Sequence, residues 1–224
     1  MKMTVNTPVR LDVDEALRYM KSKPTPSLLA DLDSVWKELE PKLRPAAAAV
    51  CCDLTHRNGS LFCGELELPG RAIASHFEGC DRCAVLGVTI GFEADRFIST
   101  LGHIDPYRAL LADGCATAAV EELADMMTLS AREQFCPNAR ITFRFSPGYG
   151  DLPLSLQPKI LELIDARRML GLTVSQSMLL SPIKSVTAFI GLSSDDCRKD
   201  NIIRHDCSRC FMKGSCEFVK FKQT

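Results

Sequence analysis

Eight consecutive residues, Arg144-Phe145-Ser146-Pro147-Gly148-Tyr149-Gly150-Asp151, put a fixed cation, a tight turn and an aromatic hydroxyl close together. The guanidinium of Arg144 is a planar fork that meets a carboxylate through two parallel hydrogen bonds. Pro147 sets φ, and Gly148 and Gly150 carry no Cβ, so backbone here can approach a ligand closely. Tyr149 follows Arg144 by five residues, near enough for its ring to cover a flat group while Arg144 holds a charged end. That set suits a ligand with an amino-acid head and a nucleoside tail. The same residues also make an ordinary turn after a strand, with Arg144 solvated and Tyr149 packed at the edge.

A second group with chemistry lies near the C-terminus. Cys197, Cys207, Cys210 and Cys216 follow the pattern Cys-x9-Cys-x2-Cys-x5-Cys. Four thiolates can complete a tetrahedral zinc site or hold a four-iron cluster. Arg198, Lys199, Arg204, Arg209 and Lys213 surround them, and positive charge favours the thiolate form. Few apolar residues fall between Asp195 and Lys213, so bound metal is the expected source of order in this tail. Spacing leaves zinc and iron–sulfur both open. Cys80 and Cys83 form a further Cys-x2-Cys, but no matching pair follows unless Cys51, Cys52 or Cys63 folds nearby. Small buried hydrophobes are the simpler reading of these. The histidines His56, His76, His103 and His205 show no metal-ligand spacing, with His205, close to Cys207, left as an alternative ligand.

Composition narrows the class. The chain has 224 residues, 46% of them hydrophobic, enough for one large domain or a domain with appendages. With 27 basic and 28 acidic residues the formal net charge is −1, so no global field invites nucleic acid or an anionic membrane. The first residues lack the apolar core of a signal peptide, and the run Ala46–Cys52 is far short of the roughly 20 residues that span a bilayer. Eleven cysteines without an export signal are expected to be reduced, in a cytoplasmic protein. No phosphate loop and no Gly-x-Ser-x-Gly elbow occurs.

The elements that must position these residues follow from period and punctuation. Asp12 to Lys21 reads as a short helix capped by Asp12, and Ser27 as the cap of a second helix. The stripe Leu28, Leu32, Val35, Trp36 and Leu39 on that second helix is expected to pack on the main core. Ala46–Leu54 and Ser60–Leu68 read as strands about an Asn58-Gly59 turn. Gly70–Phe77 reads as helix and Cys83–Ile90 as a buried strand. Glu93–Leu101 and Pro106–Phe135 read as helices, the second interrupted. Small residues Ala116, Ala118 and Ala119 allow close approach of another element. Arg140–Phe145 is a strand leading into the turn. Ser155 caps a helix to Leu170, Gly171 stops it, and Lys184–Leu192 is a last strand. Strands and helices without a regular βαβ rhythm indicate an α+β fold, with a largely antiparallel sheet. The expected division is a helical extension over 1–45, a main domain over 46–194 and a metal-binding tail over 195–224.

The run from Arg144 to Leu192 resembles the S-adenosylmethionine-binding activation domain of cobalamin-dependent methionine synthase. The Arg-x-x-Pro-Gly-Tyr core, Leu172–Met178 and Lys184–Ala188 carry the likeness. It is similar also to free-standing versions of that domain, through His76–Cys80, Thr89–Arg96 and Asp113–Glu121. The resemblance implies binding of S-adenosylmethionine and presentation of its methyl group to cobalamin that has oxidised to an inactive state. It implies that cobalamin arrives on a partner, a methionine synthase or other corrinoid protein, with an electron from a flavodoxin- or ferredoxin-type donor. It carries the carboxylate contact to Arg144, the backbone contact to Ser146 and the aromatic ring to Tyr149. Acidic contacts to the ligand's amino end match poorly: the aligned position is Thr117, with Glu121 and Glu122 one turn on. Ile190 stands where an aromatic hydroxyl is expected on the last strand. The resemblance tips the tail toward iron–sulfur. It also places the small residues at Ala116–Ala119 near the partner contact. An iron–sulfur electron-transfer or docking protein for a corrinoid partner is the alternative reading.

Overall fold

A computed structural model describes residues 2–3 and 8–194 of the chain. Its order is β1 (Lys2–Met3), α1 (Val13–Tyr19), α2 (Pro26–Leu39), β2 (Ala46–Arg57), β3 (Ser60–Cys63), β4 (Leu66–Leu68) and α3 (Arg71–His76). It continues with β5 (Arg82–Thr89), α4 (Phe92–Ile104), α5 (Pro106–Phe135) and β6 (Arg140–Ile141). The last elements are α6 (Gln157–Leu163), α7 (Ala166–Leu170), β7 (Thr173–Val174), β8 (Leu180–Ser181) and β9 (Ser185–Ser193). The main sheet runs β4-β3-β2-β5-β9-β6, with β1 also on β2, and every pairing is antiparallel. A small hairpin, β7–β8, stands apart. The α+β expectation holds.

Strand alternation divides the core into two layers, because successive side chains point to opposite faces. Ala47, Ala49, Ala84, Leu86, Val88, Ile190 and Leu192 face α1, α2 and α5. Cys83, Val85 and Phe189 face α3, α6 and α7, where Ile73, Phe77, Ile160, Leu161 and Ile164 close the second layer. The α2 stripe packs as expected: Leu32, Val35 and Leu39 are buried, with Leu28 and Trp36 against them. Among the described residues no helix is long and apolar enough to cross a membrane.

Several boundaries differ from expectation, each for a local reason. Helix α5 is one uninterrupted element of 30 residues. Asp105 accepts from the Arg108 N–H, Pro106 occupies the first turn, and no proline follows inside the helix. Its internal Gly114 is a packing choice: a Cβ there would lie 2.7 Å from Cγ of Met20, so α1 rests directly on the helix. Ala116, Ala118 and Ala119 are buried in the same way. They are core, which corrects the expectation that they offer a surface to a partner. Thr25, not Ser27, caps α2, because Pro26 takes the first helical position. The run Ser60–Leu68 breaks into β3 and β4 at Gly64. The helix expected from Ser155 becomes a 3-10 turn, Leu154–Leu156, then α6 and α7, broken where Asp165 takes φ +51°. Gly171, at φ +66°, ends α7 as expected.

Candidate ligand site at the β9 edge

The segment carrying Arg144 is not the plain strand that its alternation suggests. Ile141 pairs with Leu192, and Phe145 bridges Phe189 with two 2.9 Å backbone hydrogen bonds. Residues 142–144 therefore oppose only 190 and 191. This is a β-bulge. Thr142 fills the gap: its N–H donates to Gly191 O, and its Oγ1 accepts from the Gly191 N–H, both at 3.0 Å. Without the bulge, Ile141 and Phe145 would share a face. Instead Ile141 packs with α5 and Phe145 packs in the opposite layer. The slip turns Arg144 toward α5.

There both arms of the guanidinium meet carboxylates. Nη2 is 2.5 Å from Glu121 Oε2, and Nη1 donates to Asp125 Oδ1. Burial alone would lower the Arg144 pKa, but Glu121 and Asp125 more than offset it and hold the cation firmly charged. With its side chain 16% exposed, this is a half-shielded ion cluster rather than a solvated surface charge. Tyr19, at the end of α1, stands beside it. Burial first, and then the Glu121 carboxylate, push the Tyr19 phenol above its usual range.

Helix α5 supplies these groups as a row. Asp113, Thr117, Glu121 and Asp125 recur at every fourth residue and so line one face. Lys184 answers Arg144 at the other end of the row, with Nζ 2.7 Å from Asp113 Oδ1 and 2.9 Å from Thr117 Oγ1. Asp95 of α4 fixes the approach to β9 by accepting from the N–H of Ile183 at 2.6 Å and of Lys184 at 3.3 Å. Two cations therefore bracket an acidic track along α5.

The turn after Arg144 is equally determined. The Tyr149 N–H donates to Ser146 O at 3.0 Å, and Gly148 takes φ +89°. Proline at the second position and positive φ at the third make a type II turn. Asp151 then accepts from the N–H of Arg71 at 2.7 Å and of Ala72 at 3.1 Å, tying the loop to the start of α3. Tyr149 is 44% exposed, its ring edge-on to Phe145 at 6.0 Å. The His76 ring lies 4.2 Å from that of Phe143, tilted by 58°, and its Nε2 lies 2.8 Å from Phe143 O, a bond that puts the proton on that nitrogen.

The structure thus brings Arg144, Glu121, Ser146, Gly148 and Tyr149 into one neighbourhood. Asp125, Tyr19 and Lys184 join it without having been singled out from sequence. Asp125 had a signal, its spacing of four from Glu121 on a helix. Tyr19 had none, because only packing brings α1 there. Thr117, the poor match, is engaged by Lys184, and Ile190 is buried in the α5 layer. A surface cavity of about 320 Å³ lies elsewhere, between α4 and the β8–β9 connection, lined by Phe92, Asp95, Ser99 and Ile183 among others. Cys197, Cys207, Cys210 and Cys216 fall outside the described residues. Among the described residues no group of three or more His, Cys, Asp or Glu is placed to hold a metal ion. Ser194 is held by Asp81, through its N–H at 3.1 Å and its hydroxyl at 2.9 Å, so the chain leaves the sheet beside Cys80.

No protein-family model matches the sequence, and no curated protein matches it. A solved structure does match: the MetH reactivation domain bound to AdoHcy. The two share a TM-score of 0.65 at 15% identity, over 90% of this chain and 80% of that one. The chain has the fold of that domain.

Proposed function

We propose that this chain binds S-adenosylmethionine at the Arg144 cluster and supports reductive methylation of cobalamin carried by a separate protein. The observation that carries the reading is the pairing of Arg144 with Glu121 and Asp125 on the fold of a domain whose solved structure holds AdoHcy. An amino-acid head is a carboxylate beside an ammonium. Arg144 suits the first, and Glu121 or Asp125 suits the second, so a zwitterion can exchange into the existing ion pairs without leaving a charge unpaired. Ser146 and Gly148 offer backbone at the turn, and exposed Tyr149 offers a face for the flat part of the ligand.

The methyl donor supplies an electrophilic methyl group, and the corrin is held by the partner. What this chain contributes is orientation and exclusion of water at the contact. The partner is a cobalamin-binding methionine synthase or another corrinoid protein, served by a flavodoxin- or ferredoxin-type donor. The tail cysteines Cys197, Cys207, Cys210 and Cys216 hold an iron–sulfur cluster or zinc.

Calorimetric titration of the full chain with S-adenosylmethionine tests the reading. Binding is expected, and Arg144→Ala should weaken it by about 10- to 150-fold, the loss of one charged hydrogen bond. One observation favours a second reading, a docking or electron-transfer protein without a methyl donor. Both arms of Arg144 are already engaged and Thr117 is taken by Lys184. No heat at millimolar ligand would select it.

A further inference from the structure

We propose that Cys52, Cys63 and Cys83 form an oxidation-sensitive thiol site in which peroxide links Cys52 to Cys63 as a disulfide. The three come from different strands and share one face of the sheet. Cys52 of β2 stands directly opposite Cys83 of β5. Cys63 of β3 pairs with Leu54, two residues along β2 and therefore on the same face as Cys52. All three belong to the layer packed by α3 and α6, Cys63 and Cys83 within it and Cys52 against it. Sulfur proximity follows from contacts as well as register. Cys63 shares side-chain hydrogen bonds with both Cys83 and Cys52. Cys52 Sγ also lies only 3.4 Å from where a Cβ on Gly64, the next residue after Cys63, would stand.

Exposure and charge assign the roles. Cys63 and Cys83 are fully buried, whereas Cys52 is partly exposed and is the member that solvent peroxide reaches first. Hydrogen bonds from Cys83 and Cys52 lower the Cys63 pKa against its burial, making it the thiolate-favoured member. Burial, reinforced by Cys63, raises the other two. The chemistry has two steps. Cys52 passes its proton to the Cys63 thiolate along the hydrogen bond they share and, as the thiolate, attacks hydrogen peroxide, which leaves Cys52 sulfenic acid and a hydroxide that takes the proton back from Cys63 as water. Cys63 thiolate then attacks the sulfenic sulfur and the S–S bond forms. The departing hydroxide takes up the proton that Cys63 lost in first becoming a thiolate and leaves as a second water.

Cys63 outranks Cys83 as the partner because it is the thiolate-favoured member, whereas burial keeps Cys83 a thiol, and because its strand can move to meet Cys52. β3 holds β2 through four paired residues near the sheet edge, whereas β5 holds it through eight in the centre. A disulfide needs Cα atoms about 4.4–6.8 Å apart, and diagonal neighbours start near 7–8 Å, so a small shift of β3 closes the bridge.

Non-reducing peptide mapping of the full chain, before and after dilute hydrogen peroxide, is the test. The expected product is a cross-linked Cys52–Cys63 peptide pair, absent before treatment and removed by dithiothreitol. In Cys63→Ser the pair cannot form, and a dimedone adduct should appear on Cys52. The wild-type map decides alone if that variant fails to fold. A Cys52–Cys83 pair would overturn the role given to Cys63. A wild-type dimedone adduct persisting on Cys52, or three unmodified thiols when the four tail cysteines are oxidised, would overturn the site.

Discussion

Ile141 and Phe145 lie four residues apart on one extended segment, yet they pack into opposite faces of the sheet. The bulge between them is held by the Thr142 hydroxyl, which accepts the buried Gly191 N–H. Thr142→Val keeps the shape and removes the acceptor. Leaving that N–H unsatisfied should cost about 1–3 kcal/mol in urea denaturation. Thr142→Ser should keep most of the stability. Ligand affinity should fall with Val as well, since the bulge aims Arg144 at α5. Equal stability of the Val and Ser variants would show that the hydroxyl does not hold the bulge.

The bulge also marks the limit of what the sequence displays. The alternation from Arg140 to Phe145 looks like one uniform strand, and nothing in it shows a slipped register. The partner that sets the slip, Gly191, is 49 residues away. By contrast the α+β class, the sheet strands Ala46–Arg57 and Ser185–Ser193, and the cap at Asp12 were legible, because period and capping are local signals. The continuous α5 was misread because Gly114 looks like a break until Met20 is seen packed on it. The Arg144 turn was legible through Pro147 and Gly148. Its carboxylate partners on α5 were half legible: Glu121 was singled out and Asp125 was not.

Asp151 gives a pH signature. Hydrogen bonds from the Arg71 and Ala72 N–H groups hold its carboxyl below the usual range. A depressed carboxyl contributes stability that is fully present above its unfolded pKa, about 3.9, and is lost as pH falls through the folded value. Asp151→Asn should therefore lower the melting temperature at pH 7. The gap between variant and wild type should close as the pH is taken below about 4. A gap that persists unchanged into acid would mean that packing rather than charge ties the loop to α3.

The tail has a metal prediction independent of the fold. Anaerobically purified protein should contain metal held by Cys197, Cys207, Cys210 and Cys216. Iron with acid-labile sulfide and broad visible absorption identifies a cluster, whereas a colourless protein with zinc identifies a structural knot. The double variant Cys207→Ser, Cys210→Ser should lose it. Full metal content in that variant would remove these cysteines from the site.

The last prediction concerns transfer of the methyl group. The proposed function has the corrin arrive on a separate protein. Methyl-labelled S-adenosylmethionine should then label cobalamin only when a cobalamin-loaded partner, a low-potential electron source and this chain are all present. Proximity is the reason, because donor and acceptor must be held in line and neither protein does that alone. Arg144→Ala should slow labelling in step with its loss of affinity when the donor is limiting, and recover at high donor concentration. That recovery separates a binding residue from one that holds the fold. Equally fast labelling without this chain, or none with any co-encoded corrinoid partner, would end the reactivation reading and leave the docking role.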